Sequence, residues 1–128
     1  MTVVMNVVAR DKILLLLSSQ MMAGLEFVLP PARAAALQAE RRLPTLEDLA
    51  RQLVSEIAPR ARAPLSGFQV GAVAVGVSGA LYLGVNLEFP PLPVNGDTVH
   101  GEQSAVALAF VEGERDLTSL ITFGGHPW

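Results

Sequence analysis

The sequence places a histidine and a glutamate one residue apart, where an apolar stretch with helical spacing begins. His100 and Glu102 stand in the segment TVHGEQSAVALAF, and His100 is one of only two histidines among the 128 residues. A helix N-terminus carries the positive end of the helix dipole, which favours a neutral imidazole with a lone pair free for a metal ion. A carboxylate in the first helical turn can then reach a water held beside that metal. The pattern indicates a zinc site, although an ordinary helix start, where Glu is also common, remains the alternative.

The composition limits the chemistry and the partners of the chain. The 128 residues contain no cysteine, which excludes disulfide bonds and thiolate metal ligands among them. The net charge is −3 and no basic stripe is visible, so the sequence predicts no nucleic-acid partner. Hydrophobic residues make up 51% and charged residues 16%, which is typical of a packed globular protein of one domain.

Residues 1–44 lack clear periodicity and contain several prolines. We predict a variable, partly helical N-terminal extension there, with a short helix at Ala34–Arg42. The apolar run Ile13–Leu17 follows a cluster of mixed charge and is far too short for a membrane span. A buried or irregular segment is the preferred interpretation, and a signal sequence is the alternative. The sequence therefore predicts no membrane partner, and we expect a cytoplasmic location.

The spacing of apolar residues along the chain predicts the helices and strands that must position His100 and Glu102. Thr45 and Asp48 approximate a capping box for a helix that continues at helical spacing to Pro59. Residues 68–77 and 80–87 alternate small residues with larger apolar ones and predict a β-hairpin.

The chain after the hairpin predicts a helix and a strand. A proline-rich loop leads to a helix capped by Asp97 or Thr98 and stopped by Gly113, and Leu117–Phe123 predicts a third strand. The residues expected on the apolar side of this helix are Val99, Ala105, Val106, Ala109 and Phe110. The order helix, hairpin, helix, strand predicts an α/β sandwich over 45–128, incomplete after its last strand.

Four ordered motifs resemble the cytidine deaminase family, most closely its longer-chain, homodimeric branch. They are ARAPLSGFQVGA (61–72), GVSG (76–79), GVNLEF (84–89) and VHGEQS (99–104), and the resemblance extends over residues 58–121, about half of the chain. The resemblance implies a partial cytidine deaminase-like α/β/α sandwich. It also implies a homodimeric hydrolase that deaminates cytidine or deoxycytidine with zinc, a reaction of pyrimidine salvage.

The resemblance implies a role for each residue of the HGE motif. His100 would be the zinc ligand. Glu102 would be the acid/base that moves protons between the attacking water, the pyrimidine ring and the departing ammonia. The backbone N–H of Gly101 would bind the pyrimidine carbonyl. The implied cofactor is therefore zinc, and the implied substrate is a small pyrimidine nucleoside.

Three further residues match nucleoside-binding positions of the family. Asn86 and Glu88 would bind the ribose hydroxyls, since an amide and a carboxylate together offer donors and acceptors to a diol. Phe68 would pack against the base. Without the resemblance, Asn86 would be a polar strand end, Glu88 a solvated loop charge and Phe68 a core residue.

Two departures from the family pattern bear on activity. The family usually has Ala where this chain has Gly101, a change that loosens a helix by about 1 kcal/mol. After the third strand the family reads P-C-x-x-C, whose thiolates complete the zinc site, whereas this chain reads GGHPW. His126 cannot replace them, because a catalytic zinc takes three protein ligands. We therefore expect the chain alone not to retain zinc.

Two interpretations of the function remain open. The chain is either a truncated cytidine deaminase or a catalytically inactive, deaminase-like domain that acts as an interaction or regulatory subunit. A deaminase of nucleic acids is disfavoured by the acidic charge.

Overall fold

The computed structural model describes residues 26–90 and 98–126. The apolar run Ile13–Leu17, the candidate cap Asp97, most of the proline-rich loop and the final Pro127-Trp128 lie outside the described residues. The helices are α1 (Pro31–Glu40), α2 (Leu46–Ile57) and α3 (Gly101–Val111), and a short 3-10 turn, Ala58–Arg60, follows α2. The strands are β1 (Val28–Leu29), β2 (Gln69–Gly76), β3 (Leu81–Val85), β4 (Leu87–Glu88), β5 (Thr98–Val99) and β6 (Leu117–Gly125).

Four strands form an antiparallel sheet in the order β1-β3-β2-β6. The predicted hairpin is confirmed as β2 and β3, joined through Gly79 at a φ of +92°, a conformation that glycine adopts without strain. The predicted third strand is confirmed as β6. The fourth strand, β1, has only two residues, too few to show a period of two in the sequence.

Helices pack on both faces of this sheet, as predicted for an α/β/α sandwich. Successive residues of β2 point to opposite faces. One face carries larger side chains, and α2 packs on it through Leu49, Leu53, Val54 and Ile57 against Val73, Val75, Leu81, Leu83 and Val85. The other face carries mostly alanines, and α3 packs on it through Ala105 and Ala109 against Ala72, Ala74, Ala80 and the larger Tyr82.

The first two helices begin and end where their sequences predict, within a few residues. Thr45 caps α2, since its Oγ1 accepts a hydrogen bond from the Asp48 backbone N–H at 3.1 Å and donates one to Asp48 Oδ2 at 2.7 Å. The short helix predicted at Ala34–Arg42 is present as α1 and begins earlier, at Pro31, because proline is tolerated in the first helical turn. No helix within 26–90 and 98–126 is long and apolar enough to cross a membrane.

The start and the apolar side of α3 differ from the prediction. The predicted cap Thr98 lies in β5, where it pairs with Glu88, and His100 is the N-cap instead. Ala105 and Ala109 are buried as expected. Val99 lies in β5, outside the helix, so its placement on the helix was wrong.

The prediction that Phe110 lies on the buried side of α3 was also wrong. Its side chain is 80% exposed. Helix α3 lies very close to β3, because a Cβ at Gly84 would stand 2.4 Å from both Ala105 N and Gly101 O. Only small side chains fit such a contact, so the larger Phe110 points away from the sheet.

Strand β6 lies at the edge of the described sheet, with apolar side chains exposed beside it. Leu120 is 43% exposed and Phe123 49%. Since an open edge with apolar neighbours pairs readily with other chains, we expect the isolated protein to associate, and Leu120→Lys to reduce that association. Sedimentation velocity over a range of concentrations measures it, with Ala36→Lys on the exposed side of α1 as the control. A dilute monomer with a sharp, cooperative melting curve would contradict the prediction.

Candidate functional site

The site residues cluster where α3 begins, beside the first residues of β2. Gly101 is buried there, and a Cβ on it would lie 3.1 Å from Val70 Cγ1 and 3.3 Å from Val70 O. His100 precedes it as the exposed N-cap, and its backbone N–H donates to Gln103 Oε1 at 3.0 Å. The close approach of Gly101 to Val70 fixes the first turn of α3 over the end of the sheet, and Glu102 is part of that turn.

Glu102 and Phe68 line the same open groove, which we call the Glu102 groove. Its volume is about 470 Å³, and the described residues that line it are Phe68, Val70, Glu102, Leu120, Thr122, Phe123 and Gly124. Phe68 is 41% exposed and contacts His126 edge to face, with ring centroids 5.2 Å apart. The groove therefore combines a carboxylate with an exposed aromatic ring, which is a combination suited to a small planar ligand.

Asn86 lies beneath this groove and is only 6% exposed. Its Oδ1 accepts a hydrogen bond from Val70 N at 2.8 Å, and its Nδ2 donates one to Phe68 O at 2.8 Å. Its backbone N–H donates to Val70 O at 3.2 Å. The Asn86 side chain thus holds the backbone at the start of β2, at Val70 and at Phe68.

Glu88 lies in a neighbouring cavity of about 630 Å³, lined by residues 61–64 and 87–90. Its Oε1 accepts from the backbone N–H groups of Leu65, at 2.8 Å, and Ser66, at 3.0 Å. Its Oε2 accepts from Ser66 Oγ at 2.6 Å. The Ser66 hydroxyl and the two backbone donors stabilise the charged form and lower the pKa of Glu88 below its usual value.

The structure therefore brings the six predicted residues together only in part. Phe68 and Glu102 share one groove, and Asn86 supports it from below. Glu88 reaches Phe68 only through Ser66, whose Oγ accepts from Phe68 N at 3.1 Å. The sequence motifs did not predict the role of Ser66. Its position in a turn between Pro64 and Gly67 is a signal for such local side-chain hydrogen bonds.

The residues present do not fit a complete zinc site. Among residues 26–90 and 98–126, no three His, Cys, Asp or Glu side chains are grouped to hold a metal ion. Since the 128 residues contain no cysteine, thiolate ligands for a metal at His100 would have to come from elsewhere.

Comparison with known proteins adds independent information, although no protein-family model matches the chain. The cytidine deaminase of Sodalis glossinidius is 54% identical over 57 residues, which are 44% of this chain and 18% of that protein. The cytidine deaminase of Actinobacillus succinogenes is 49% identical over 77 residues, which are 60% of this chain and 26% of that protein. The chain thus spans about a quarter or less of the curated relatives it matches.

Solved structures share the fold. The cytidine deaminase of Mycobacterium tuberculosis aligns with a TM-score of 0.55 and 28% identity over 61% of each chain. That of Burkholderia pseudomallei aligns with a TM-score of 0.56 and 24% identity over 62% of each chain, which shows the fold alone. The sequence matches and the shared fold confirm that this chain resembles the cytidine deaminase family, as its ordered motifs predict.

Proposed function

We propose that this chain forms the nucleoside-binding part of a cytidine deaminase. The Glu102 groove carries the proposal, because it places a carboxylate and an exposed aromatic ring around a space of about 470 Å³. Pockets for small ligands commonly enclose about 300–1,000 Å³ and combine apolar walls with a few polar groups. The similarity to cytidine deaminases supplies the class of ligand, a pyrimidine nucleoside.

The pyrimidine base would be bound between Phe68 and the first turn of α3. The Phe68 ring offers an apolar face, and base–aromatic stacking contributes about 1–3 kcal/mol. The Gly101 N–H belongs to the first helical turn, where backbone donors lack intrahelical partners, and it would donate to the pyrimidine carbonyl. Glu102 would accept a hydrogen bond from the exocyclic amino group and can carry a proton to or from the ring.

The ribose would be bound by Glu88, with Asn86 beside it. A carboxylate has about four lone-pair positions, and three on Glu88 already accept hydrogen bonds from Leu65 and Ser66. One position therefore remains for a sugar hydroxyl. Asn86 uses one hydrogen and one lone pair in its bonds to Phe68 and Val70, which leaves a second hydrogen on Nδ2.

Hydrolytic deamination of cytidine or deoxycytidine belongs to the same proposal. In a completed protein, His100 would be one ligand of a zinc ion, and the zinc would supply the activated water of this reaction. Two thiolates in addition to the present sequence would complete the site. A homodimer, a cytoplasmic location and a place in pyrimidine salvage are likewise proposed from the family resemblance.

A second candidate function is that of a non-catalytic subunit that binds nucleosides. The absence of cysteine from the 128 residues favours it, while the groove and its carboxylate are present. The two candidates differ in one measurement, since only the enzyme converts cytidine to uridine in the presence of zinc.

The nucleoside-binding proposal is tested by titrating the chain with cytidine and following the protein by NMR, which also detects any uridine formed. We expect saturable binding, and Phe68→Ala should weaken it about tenfold through loss of stacking. Phe110→Ala, which removes an exposed ring outside the groove, is the matched control. The proposal would be refuted if the NMR shifts did not saturate at millimolar cytidine, or if Phe68→Ala bound cytidine as tightly as the parent chain does.

The same titration should depend on pH through Glu88. The charged carboxylate binds the sugar hydroxyl, and its pKa lies below the ordinary value of 4.5. Affinity should therefore be constant at neutral pH and fall only as the pH drops below 4.5 through the lowered pKa. Glu88→Gln should remove the contribution of this carboxylate to the pH dependence.

A further inference from the structure

The hydroxyl of Ser66 forms hydrogen bonds with two residues of the proposed site, Glu88 and Phe68. Ser66 Oγ donates to Glu88 Oε2 at 2.6 Å, and it accepts from Phe68 N at 3.1 Å. Glu88 lies in one cavity and the Phe68 ring in the other, so this hydroxyl joins the two halves of the site.

The chemistry of a hydroxyl makes this link directional. Serine has one O–H donor and two acceptor lone pairs, and the donor is used by the Glu88 carboxylate. A hydrogen bond from a hydroxyl to a charged oxygen is strong, and it orients the hydroxyl so that a lone pair faces the Phe68 N–H. If the carboxylate changes its partners or its charge, the orientation of this hydroxyl changes as well.

The other side of the Phe68 backbone is held by Asn86. The Phe68 carbonyl accepts from Asn86 Nδ2 at 2.8 Å, while its N–H donates to Ser66. Gly67, between Ser66 and Phe68, adopts a φ of +71°, so the chain bends sharply before the ring. Each of the two candidate ribose-binding residues therefore holds one end of the Phe68 backbone, Asn86 directly and Glu88 through Ser66.

We propose that Ser66 is a positioning residue that couples the ribose-binding carboxylate Glu88 to the base-packing ring of Phe68. This inference rests on the proposed function for its ligand. A sugar hydroxyl that takes the remaining acceptor position of Glu88 shares Oε2 with the Ser66 hydroxyl, which changes the hydrogen bond between them, and the backbone that carries Phe68 responds. Arg62 is the other charged residue that lines the Glu88 cavity.

The test is a double-mutant cycle on the full 128-residue chain at neutral pH, with Ser66→Ala, Glu88→Gln and the double variant. The readouts are the NMR chemical shift of the Phe68 backbone amide and the affinity for cytidine. We expect Glu88→Gln to shift the Phe68 amide in the parent chain and to shift it far less when Ser66 is already alanine. Ser66→Ala should weaken cytidine binding about threefold to tenfold, as for loss of one hydrogen bond.

Ser66→Thr keeps the hydroxyl and separates positioning from general destabilisation. It should restore both the response of the Phe68 amide and the affinity, whereas a loss of loop stability alone would not depend on the hydroxyl. Additive shifts in the cycle, or a Ser66→Ala variant with parental affinity, would overturn the inference. If the amide response is present and no variant binds cytidine, the proposed function is wrong and the coupling through Ser66 stands.

Discussion

Gly84→Ala is expected to lower the free energy of unfolding by about 1–3 kcal/mol, the usual cost of forcing extra volume into a packed core. A Cβ at this position would lie 2.4 Å from both Ala105 N and Gly101 O. Both are backbone atoms of α3, so no side-chain rotation relieves the contact and the helix must move away from β3. Urea denaturation measures the effect as a lower midpoint with an unchanged slope.

The matched control for this substitution is Gly125→Ala near the end of β6. A Cβ there would meet no atom within 4 Å, so its effect should stay within about 0.5 kcal/mol. Because α3 carries Glu102, Gly84→Ala should also weaken cytidine binding. A Gly84→Ala variant as stable as the parent chain would show that α3 does not pack this closely on the sheet.

The sequence was most informative where a local period or a local cap determines the structure. Small residues stand among the valines of β2, a pattern that is visible in the sequence. Thr45 caps α2 through a hydrogen bond with Asp48, only three residues further along the chain. The start of α3 could not be found this way, because it depends on β5 pairing with β4 across the proline-rich loop. The orientation of Phe110 could not be predicted from the sequence either. From Ala105 to Val111 the helix is wholly apolar, so no polar side marks its exposed face.

The arrangement of the candidate site could likewise be predicted from the sequence only in part. The family resemblance predicted Phe68 and Glu102, which the structure brings to one groove. It did not predict that Glu88 accepts hydrogen bonds from the loop before Phe68, or that the Asn86 side chain forms hydrogen bonds with the backbone of Phe68 and Val70. Those hydrogen bonds join residues 16 to 23 positions apart, and only the folded hairpin brings them together. The roles of all six residues toward a ligand or a metal remain predictions, including those of Phe68 and Glu102.

Glu102→Gln is expected to slow cytidine deamination by about 10²–10⁴-fold, the usual contribution of a positioned general acid or base. The reaction needs a version of this chain that is continued with a P-C-x-x-C segment and the closing elements of a cytidine deaminase. Glutamine keeps the size and the hydrogen-bonding reach of Glu102 but cannot exchange a proton. Since Glu102 is not proposed as a metal ligand, the variant should keep its zinc. Loss of cytidine absorbance and elemental analysis measure the two quantities.

Two further variants make the Glu102 experiment specific. Glu112→Gln removes the same charge at the exposed, opposite end of α3 and should leave both turnover and zinc content unchanged. His100→Ala should lose zinc together with activity, because this imidazole is the proposed zinc ligand of the chain. A completed protein that binds zinc but leaves cytidine unchanged would contradict the assignment of the site. So would a Glu102→Gln variant that turns over at the parent rate, because the proton transfer would then use another group.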